Sequence, residues 1–586
     1  MRLPVPPFVL LDDARPNGAP ARLYVDPVEI VRADRLDEVR PALETLRGAR
    51  ARGLDAAGYL AYEAGAAFEP AAAGHPGAAP FLWFGLFRGH AELPADQVPA
   101  LLPDPAGAWA GAPRPEIDRS DYGAALAQVL DYISAGDIYQ ANLTFRAIVR
   151  TAGSAAALYA LLRARARAGY GALVATGSEW LLSFSPELFF ALEKGRLTAR
   201  PMKGTAVRDP DPAIDRANAE SLRSDPKQRA ENLMIVDLMR NDLARVARPG
   251  SVSVPSLFEV ETYPTVHQMV SSVTAELAEG FDPVDALIAL FPCGSVTGAP
   301  KIRAMQVIAE VEKDARGTYT GSIGRIDADG DAMFNVAIRT LRPAADGIAR
   351  LGLGSGIVAD SNAAAEWEEC LAKGAFVTAG ETPFDLIETM RFDPEEGVPL
   401  LERHLARLKA SADGLGFAFD RHSARNELQA ATFRLRNPAR VRLLLAPSGA
   451  VAIGIAPLPA PVAGPVEVAI APLEVAPDDF RLAHKTTRRG FYDSARAASG
   501  AWEIIFTDPE GFLTEGSFTS IFVERDGKLV TPPLSRGLLP GVLRAELLET
   551  GRTVEGDLRP GDLAGGFFLG NALRGLVAAV TVAKIA

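Results

Sequence analysis

A lysine stands between a proline and a glycine in the run RPMKGT, residues 200–205. Pro201 keeps the residue before it extended, and Gly204 lets the backbone come close to a ligand. Lys203 on such a turn is either a solvated surface charge, as most lysines are, or an amine aimed into a site. Farther along, Glu366 and Glu369 stand three apart and Lys373 four beyond, so a helix would present all three from one face. They form either a surface ion-pair ladder or part of a magnesium site, because a hard cation takes carboxylate oxygens, keeps waters and binds substrate anions. Glu231, at the edge of an apolar helical run, is the carboxylate that would oppose them. Buried without a partner it would be costly, and a metal would explain it. In the last third, Arg403 and Arg407 share one side of the amphipathic run LLERHLARLKASADGLGF. Lys485 sits in HKTTRRGFYDSAR, and Glu515 at the strand-to-turn junction of FLTEGSFTSIFV. Taken singly these read as solvated arginines, a surface lysine and a turn glutamate.

The elements that must position these residues can be read from periodicity. FVLLDD and PFLWFGLFRG read as strands and Leu36 to Arg52 as a helix, before a Pro, Ala and Gly-rich connector from Leu93 to Pro115. Asp121 to Ala135 follows as a helix behind a serine cap candidate, and GDIYQANLTFRAIV as a strand. Trp180 to Leu192 is a strand entry carrying FSPELFF, and Asp225 to Val246 is a long helix with a broad apolar face. Gly294 to Ala309 reads as a loop and helix; GTYTGSIGRID, MFNVAIRTL and ARLGLGSGIVAD as three strands; and AAAEWEECLAKGA as a closing helix. Strand-rich runs alternating with long helices predict a large α+β architecture. A second pattern starts near Glu381: two short α/β halves divided near Pro457 to Pro472, with no internal repeat or low-complexity tract.

Composition narrows the function classes. The 586 residues suggest about four domain-sized units or fewer large ones. A net charge of -12 with interspersed signs argues against a nucleic-acid surface, so an anionic substrate would need a local cationic pocket. Cys293 and Cys370 are the only cysteines, in neither a disulfide framework nor a thiolate zinc spacing. The N-terminus has prolines where a signal peptide would carry an apolar core, and no run approaches ~18 apolar residues. No membrane span is expected, and a cytoplasmic enzyme is.

SPELFF, PMKGT, AENLMIVDLMRNDL, GSVTGAPKIRAM, YTGSIG, NVAIRT, GSGIVADS and EWEECLAK occur in this order over residues 120–375. Together they resemble the catalytic domain of the chorismate-utilising enzymes, which include anthranilate, aminodeoxychorismate, isochorismate and salicylate synthases. The resemblance implies a large sandwich of sheets with outer helices that binds chorismate and magnesium. Gln140 takes the place where water-adding members carry a general-base lysine, which makes isochorismate and salicylate synthesis unlike this chain. Lys203 stands where anthranilate synthases resemble one another in having alanine and aminodeoxychorismate synthases have lysine. By the same resemblance Lys203 would attack the ring, and Glu187 would protonate the leaving hydroxyl. Glu231 and Glu369 would hold magnesium, with Glu366 beside it. Tyr319, Arg339, Lys373 and the backbone at Gly354, Ser355 and Gly356 would bind substrate carboxylates. Gln140, Gly204, Thr205 and His267 would lie near the ring. The lysine would need a depressed pKa and the glutamate a raised one. With no cysteine in a nucleophile-elbow context, ammonia would come from a separate glutamine amidotransferase subunit.

The C-terminal motifs, with GLLPGVLR and GNALRG after them, resemble the fold-type IV pyridoxal-phosphate enzymes, a group that includes aminodeoxychorismate lyase and the branched-chain and D-amino-acid aminotransferases. The resemblance makes Lys485 the residue that joins the cofactor aldehyde and shuttles the proton, and Glu515 the partner of the pyridine nitrogen. Arg407 and the amides of Val542 and Leu543 would hold the cofactor phosphate, and Asn571 would lie near substrate or phosphate. GNALRG looks more like the lyase. Relatives of this type are usually dimers, which implies a homodimer through the C-terminal domain. The expected division is 1–115 for the N-terminal part of the sandwich, 116–378 for the chorismate-binding catalytic domain and 379–586 for a two-part α/β fold-type IV domain. The expected function is two-step synthesis of 4-aminobenzoate. The nearest alternative is anthranilate synthase component I joined to a pyridoxal-phosphate aminotransferase.

Overall fold

A computed structural model describes residues 3–72, 74, 75, 77, 80–263 and 266–582. The chain forms two compact units: one of residues 1–102, 112–149 and 159–379, the other of residues 103–111, 150–158 and 380–586.

The first unit is built on two large antiparallel sheets. One runs from Gly298–Ala299 through Gln140–Ala152 (β1), Ile348–Ile357, Thr340–Pro343, Trp180–Ser185 (β2), Tyr170–Ala175, Phe8–Asp12 and Ala21–Val25 to Ala91–Leu93. The other runs from Met202–Val207 through Val266–Glu276, Arg196–Ala199, Leu188–Glu193 (β3), Ala332–Asn335, Ser322–Ile326, Asp55–Leu60 and Leu82–Phe87 to Glu29–Ala33. The sheets share a core in which Val9, Tyr24, Val174 and Leu181 of the first meet Tyr59, Trp83, Phe87 and Ile323 of the second. The outer face of the second sheet buries Phe84, Phe190 and Leu197 against helical Leu43, Leu46, Ile235, Met239 and Leu287. Strands from residues 8–93 pair with later ones: Phe8 lies opposite Ala175 and Ala56 opposite Ile326. The early residues therefore complete the sandwich rather than form sheets of their own.

Two expected single strands divide. The run Trp180 to Leu192 is β2 in the first sheet and β3 in the second, with Pro186 and Glu187 at the crossing. MFNVAIRTL likewise gives Ala332–Asn335 to the second sheet and Thr340–Pro343 to the first, with Arg339 in the crossing at φ +50. Alternation of polar and apolar residues does not mark these crossings, because residues on both sides face apolar core. RPMKGT is not a turn: Met202–Val207 (β4) is a strand, broken by a register shift between Met202 and Thr205, with Gly204 at φ +97.

Helix α1, Pro226–Ala244, starts at Asp225, whose side chain accepts from Gln228 N, with proline in its first turn. It packs beside β4 and Val266–Glu276 (β5). Strand β6, Ile348–Ile357, leads into helix α2, Ala363–Gly374, capped by Asn362.

The second unit has a three-stranded antiparallel sheet, in the order Leu386–Phe392 (β7), Ala439–Leu445 (β8), Val451–Pro457. Helix α3, Leu401–Leu415, buries Leu405, Leu408, Ala412 and Leu415 against it. After a proline-rich run comes an eight-stranded mixed sheet, in the order Leu513–Gly516, Glu503–Thr507, Val466–Pro472, Gly575–Thr581, Phe567–Asn571, Ser520–Arg525, Lys528–Thr531, Thr553–Glu555. Helix α4, Gly490–Ser499, packs on Glu503–Thr507 (β9), and helix α5, Val542–Glu549, packs near Phe567–Asn571. Among the described residues no helix is long and apolar enough to cross a membrane.

Candidate active sites

Lys203, Gln140, Glu187 and Gly356 come together in the first unit. A Cβ built on Gly356 would stand 2.6 Å from Lys203 Nζ and 3.1 Å from Gln140 Nε2, so the absent side chain of β6 is the space into which both point. Gln140 opens β1 with 1% exposure, and among the described residues neither atom of its amide has a hydrogen-bond partner. Lys203 is held from behind by Asn232 of α1, whose Nδ2 lies 3.5 Å from the Lys203 carbonyl while its Oδ1 accepts from Ser271 Oγ at 2.6 Å. Burial lowers the Lys203 pKa, and Lys373 lowers it further against the opposing pull of Glu231, Glu187 and Glu369. The amine therefore loses its proton more readily than a solvated lysine.

Glu187 sits at the crossing between the two sheets. Its backbone is fixed there: Val336 N donates to its carbonyl at 3.1 Å, its own N donates to Ser185 Oγ at 3.2 Å, and Ser185 Oγ donates to Val336 O at 2.6 Å. Its carboxyl is 5% exposed and accepts from Ser295 Oγ at 2.7 Å. Burial pushes its pKa up; Ser295, Lys203 and Lys373 pull the other way without cancelling the rise. An amine disposed to be neutral thus faces a carboxyl disposed to be protonated.

Three carboxylates stand nearby. Burial raises Glu231, Lys203 and Lys227 lower it, and Glu366 and Glu369 raise it again, so the three sense one another. Burial raises Glu369, but Lys373 at 2.8 Å, with Lys203 and Lys227 behind it, leaves the carboxyl below its ordinary value. Glu366 accepts from Ser361 Oγ at 2.7 Å. Among the described residues no three acidic, histidine or cysteine side chains stand close enough to hold a metal unaided. The set fits magnesium, which takes one or two carboxylates and completes its shell with water and substrate oxygens.

Arg339 is half-buried at its crossing with a pKa lowered by desolvation, and among the described residues no ion pair engages its guanidinium. Tyr319 lies over Gly352 of β6, where a Cβ would meet the ring at 2.1 Å. Lys373 donates to Gly354 O at 2.9 Å, and Ser355 is fully buried with its Oγ 3.2 Å from Tyr122 OH. His267 is placed differently. Its Nε2 lies 2.9 Å from Asp215 and its Nδ1 3.0 Å from Thr262 Oγ1, so both ring nitrogens have protein partners. Thr205 is exposed, and its Oγ1 accepts from Gln268 Nε2 at 3.0 Å.

In the second unit Lys485 follows the short helix Phe480–Ala483, and β7 holds its backbone through Ile387 N donating to Lys485 O at 2.8 Å. Burial and then Arg407 bring its pKa down to about 7, with Glu388 opposing and Arg489 and Arg442 assisting. Glu515, in Leu513–Gly516 (β10), is 5% exposed and accepts from Tyr492 OH of α4 at 2.5 Å. Burial raises it to about 7. Arg407 of α3 forms a two-point pair with Glu388 at 2.8 and 2.7 Å, and its third nitrogen donates to Pro540 O at 3.1 Å. That carbonyl immediately precedes Gly541, which opens α5 without a side-chain cap, so the Val542 and Leu543 amides and the remaining Arg407 hydrogens share a corner suited to a phosphate. A half-buried amine near neutrality, a buried carboxyl and this corner fit pyridoxal phosphate. Asn571 is bound up locally: its Nδ2 donates to Phe518 O at 3.1 Å and its Oδ1 accepts from Leu573 N and Arg574 N at 3.1 and 2.9 Å.

Sequence reasoning did not single out Ser295, Asn232, Tyr492 or Glu388. The first three lie inside motifs quoted above, yet only distance shows which neighbour each one serves.

Residues 7–379 match the chorismate binding enzyme family and residues 385–582 match the amino-transferase class IV family. Aminodeoxychorismate synthase component 1 of Klebsiella aerogenes is 45% identical over 260 residues, 44% of this chain and 57% of that protein. The same-named protein of Escherichia coli is 44% identical over 257 residues, 44% of this chain and 56% of that protein, so the chain spans little more than half the length of these relatives. Anthranilate synthase component 1 of Streptomyces coelicolor is 38% identical over 368 residues, 55% of this chain and 72% of that protein. Among solved structures, anthranilate synthase component I from Streptococcus pneumoniae superposes with a TM-score of 0.53 at 25% identity, over 64% of this chain and 93% of that one. The chain belongs to the chorismate binding enzyme family and carries an amino-transferase class IV domain after its chorismate-binding one.

Proposed function

We propose that this chain makes 4-aminobenzoate in two steps: amination of chorismate to 4-amino-4-deoxychorismate in the first unit, then removal of pyruvate in the second. The observation that carries the reading is Lys203 Nζ beside Gln140 and the bare Cα of Gly356, with its pKa lowered by burial.

In the first step the Lys203 nitrogen bonds to a ring carbon conjugated with the one that bears the hydroxyl, while Glu187 gives its proton to that hydroxyl, which leaves as water. Ammonia then adds at the carbon that lost the hydroxyl, and the lysine departs. Arg339 and Tyr319 bind substrate carboxylates, the arginine by two-point contact. Glu231 and Glu369, with Glu366 beside them, would hold magnesium, which supplies charge neutralisation at a carboxylate. The ammonia source is a separate glutamine amidotransferase subunit.

In the second step Lys485 would anchor the cofactor and move the ring proton, and Glu515 would hydrogen-bond the cofactor's ring nitrogen and favour its charged form. Arg407 and the start of α5 would hold the phosphate. Pyridoxal phosphate, when bound, supplies an electron sink for breaking the bond to the departing pyruvate. The elimination reading is favoured over transamination by the substrate the first step would deliver. A homodimer through the second unit and a cytoplasmic location complete the proposal.

The alternative is anthranilate synthesis, favoured by the long match to the Streptomyces coelicolor relative. Incubating the full chain with chorismate, an ammonium salt, magnesium and pyridoxal phosphate, then identifying the aromatic amine by mass and retention, separates the two. The expected product is 4-aminobenzoate; 2-aminobenzoate as the main product overturns the proposal.

A further inference from the structure

The loop after Leu290 carries two groups with no part in the amination step proposed above. Ser295, 3% exposed, donates from Oγ to Glu187 Oε1 over 2.7 Å, and Cys293 Sγ lies 3.2 Å from the same Oγ. A serine has one hydroxyl hydrogen, and the bond to Glu187 takes it. The contact with Cys293 must then run from thiol S–H to serine oxygen. Burial and the neighbouring Glu187 push the thiol up to about 12, so it keeps that hydrogen across the neutral range. The direction of the chain follows: Cys293 to Ser295, Ser295 to Glu187 Oε1. Besides Ser295, the Met202 amide hydrogen-bonds this carboxyl, and among the described residues no second side-chain hydroxyl or amide donates to it.

An acid serving a leaving group must carry its proton on the oxygen that faces it. We propose that Ser295 is a positioning residue for Glu187: its hydroxyl, oriented by the Cys293 thiol, occupies Oε1 and so holds the acidic proton on Oε2, toward the departing hydroxyl. The inference rests on the amination reading above. In the step it serves, the Oε2–H bond breaks as an O–H bond forms on the leaving oxygen. The ring C–O bond breaks with its electron pair going to that oxygen, and the Lys203 nitrogen supplies the pair for the new C–N bond. Water departs, Glu187 is left ionised, and the Ser295 hydroxyl stays hydrogen-bonded to it.

The groups that face Glu187 are Lys203 and the Met202 amide from β4, Lys373 from α2, and Ser295 and Cys293 from the loop. Ser295 favours the ionised carboxyl, as the two lysines do. Deleting its hydroxyl therefore leaves Glu187 protonated to higher pH, while the proton is no longer confined to the productive oxygen.

The test is steady-state amination by the full-length protein with chorismate, ammonium and magnesium across pH. Ser295→Ala is expected to lower kcat about tenfold with little change in KM for chorismate, and to move the alkaline limb upward. Ser295→Thr keeps the donor and is expected to restore most of the rate and the original limb. In a Glu187→Gln background Ser295→Ala is expected to add nothing, because the two act as one unit. An unmoved alkaline limb, or a full additional loss in the Glu187→Gln background, overturns the inference. Should Ser295→Ala melt at a markedly lower temperature, Cys293→Ala decides: it leaves the Ser295 bond but frees its direction. A smaller fall in kcat supports the relay and an unchanged kcat overturns it. Wild-type protein that makes no 4-amino-4-deoxychorismate overturns the amination reading instead, which keeps the two failures apart.

Discussion

Two lysines in this chain are drawn away from their ordinary charged state, each by burial and a neighbouring cation: Lys203 by burial and Lys373, Lys485 by burial and Arg407. For Lys203→Ala the expected result is a fall in amination of at least about a hundredfold, because a methyl offers no nucleophile. Chorismate binding, read by titration, should persist, since Arg339 and Tyr319 are untouched; full amination with ammonia would exclude the covalent route. Lys485 gives a pH prediction. An amine with a pKa of about 7 is neutral and reactive above that pH, so the rate at which cofactor-free protein gains visible absorbance with pyridoxal phosphate should rise through pH 7 and level off above it. A rate still climbing steeply at pH 10 would mean an ordinary lysine. Glu515 gives the opposite slope. Its folded pKa of about 7 lies above the ordinary value of 4.5, so the stability tied to its proton is complete below 4.5 and is lost as pH rises through 7. Cofactor-free Glu515→Gln should therefore melt higher than wild type at pH 8, with the gap closing in acid; equal melting at both pH values would refute a buried, proton-holding carboxyl.

At the scale of elements, the first site exists because two strands change sheets. β2 passes to β3 through Pro186 and Glu187, and the strand before Thr340 changes sheet through Arg339, so the acid and the cation emerge where the sheets meet. The sequence displayed Glu187 and Arg339 inside what reads as continuous strand, and the crossing was invisible because both flanks are apolar. Helices α1 and α2 were legible to within about two residues at each end, because their apolar spacing carries them. The partners of Glu187 were not legible: Ser295 is 108 positions away, and no local pattern records such a contact. The same limit applies to His267 and Asn571, whose residue types invite a ligand but whose polar atoms are engaged by Asp215, Thr262, Phe518 and Arg574. β6 supplies the element-scale prediction. Gly356→Ala would place a methyl 2.6 Å from Lys203 Nζ, inside van der Waals contact, so the amine must move. Amination should drop by more than about tenfold while the melting temperature stays within a few degrees, because the clash meets the mobile end of a lysine rather than backbone. A fully active Gly356→Ala would show that the amine works from elsewhere.

For the whole molecule, the proposed function makes the product of one unit the substrate of the other. An amine newly placed on the ring is what a pyridoxal-phosphate site needs before it can draw electrons from that ring, and pyruvate is the group whose loss makes the ring aromatic. The two lysines are separate genetic handles on this sequence, because each variant removes one nucleophile and leaves the other unit's residues in place. Full-length Lys485→Ala with chorismate, ammonium and magnesium should accumulate 4-amino-4-deoxychorismate and form almost no 4-aminobenzoate, whereas full-length Lys203→Ala should form neither. Mixing the two full-length variants tests how the intermediate travels. If it leaves one chain and enters another through solvent, 4-aminobenzoate appears after a lag that shortens as protein concentration rises, because the second site must wait for the intermediate to build up. That is the expected outcome, read by following both species by mass over time. A mixture that accumulates the intermediate and never converts it, while wild type converts it freely, would mean that the second unit accepts substrate only from its own chain, and the picture of two independent sites on one polypeptide would have to be given up.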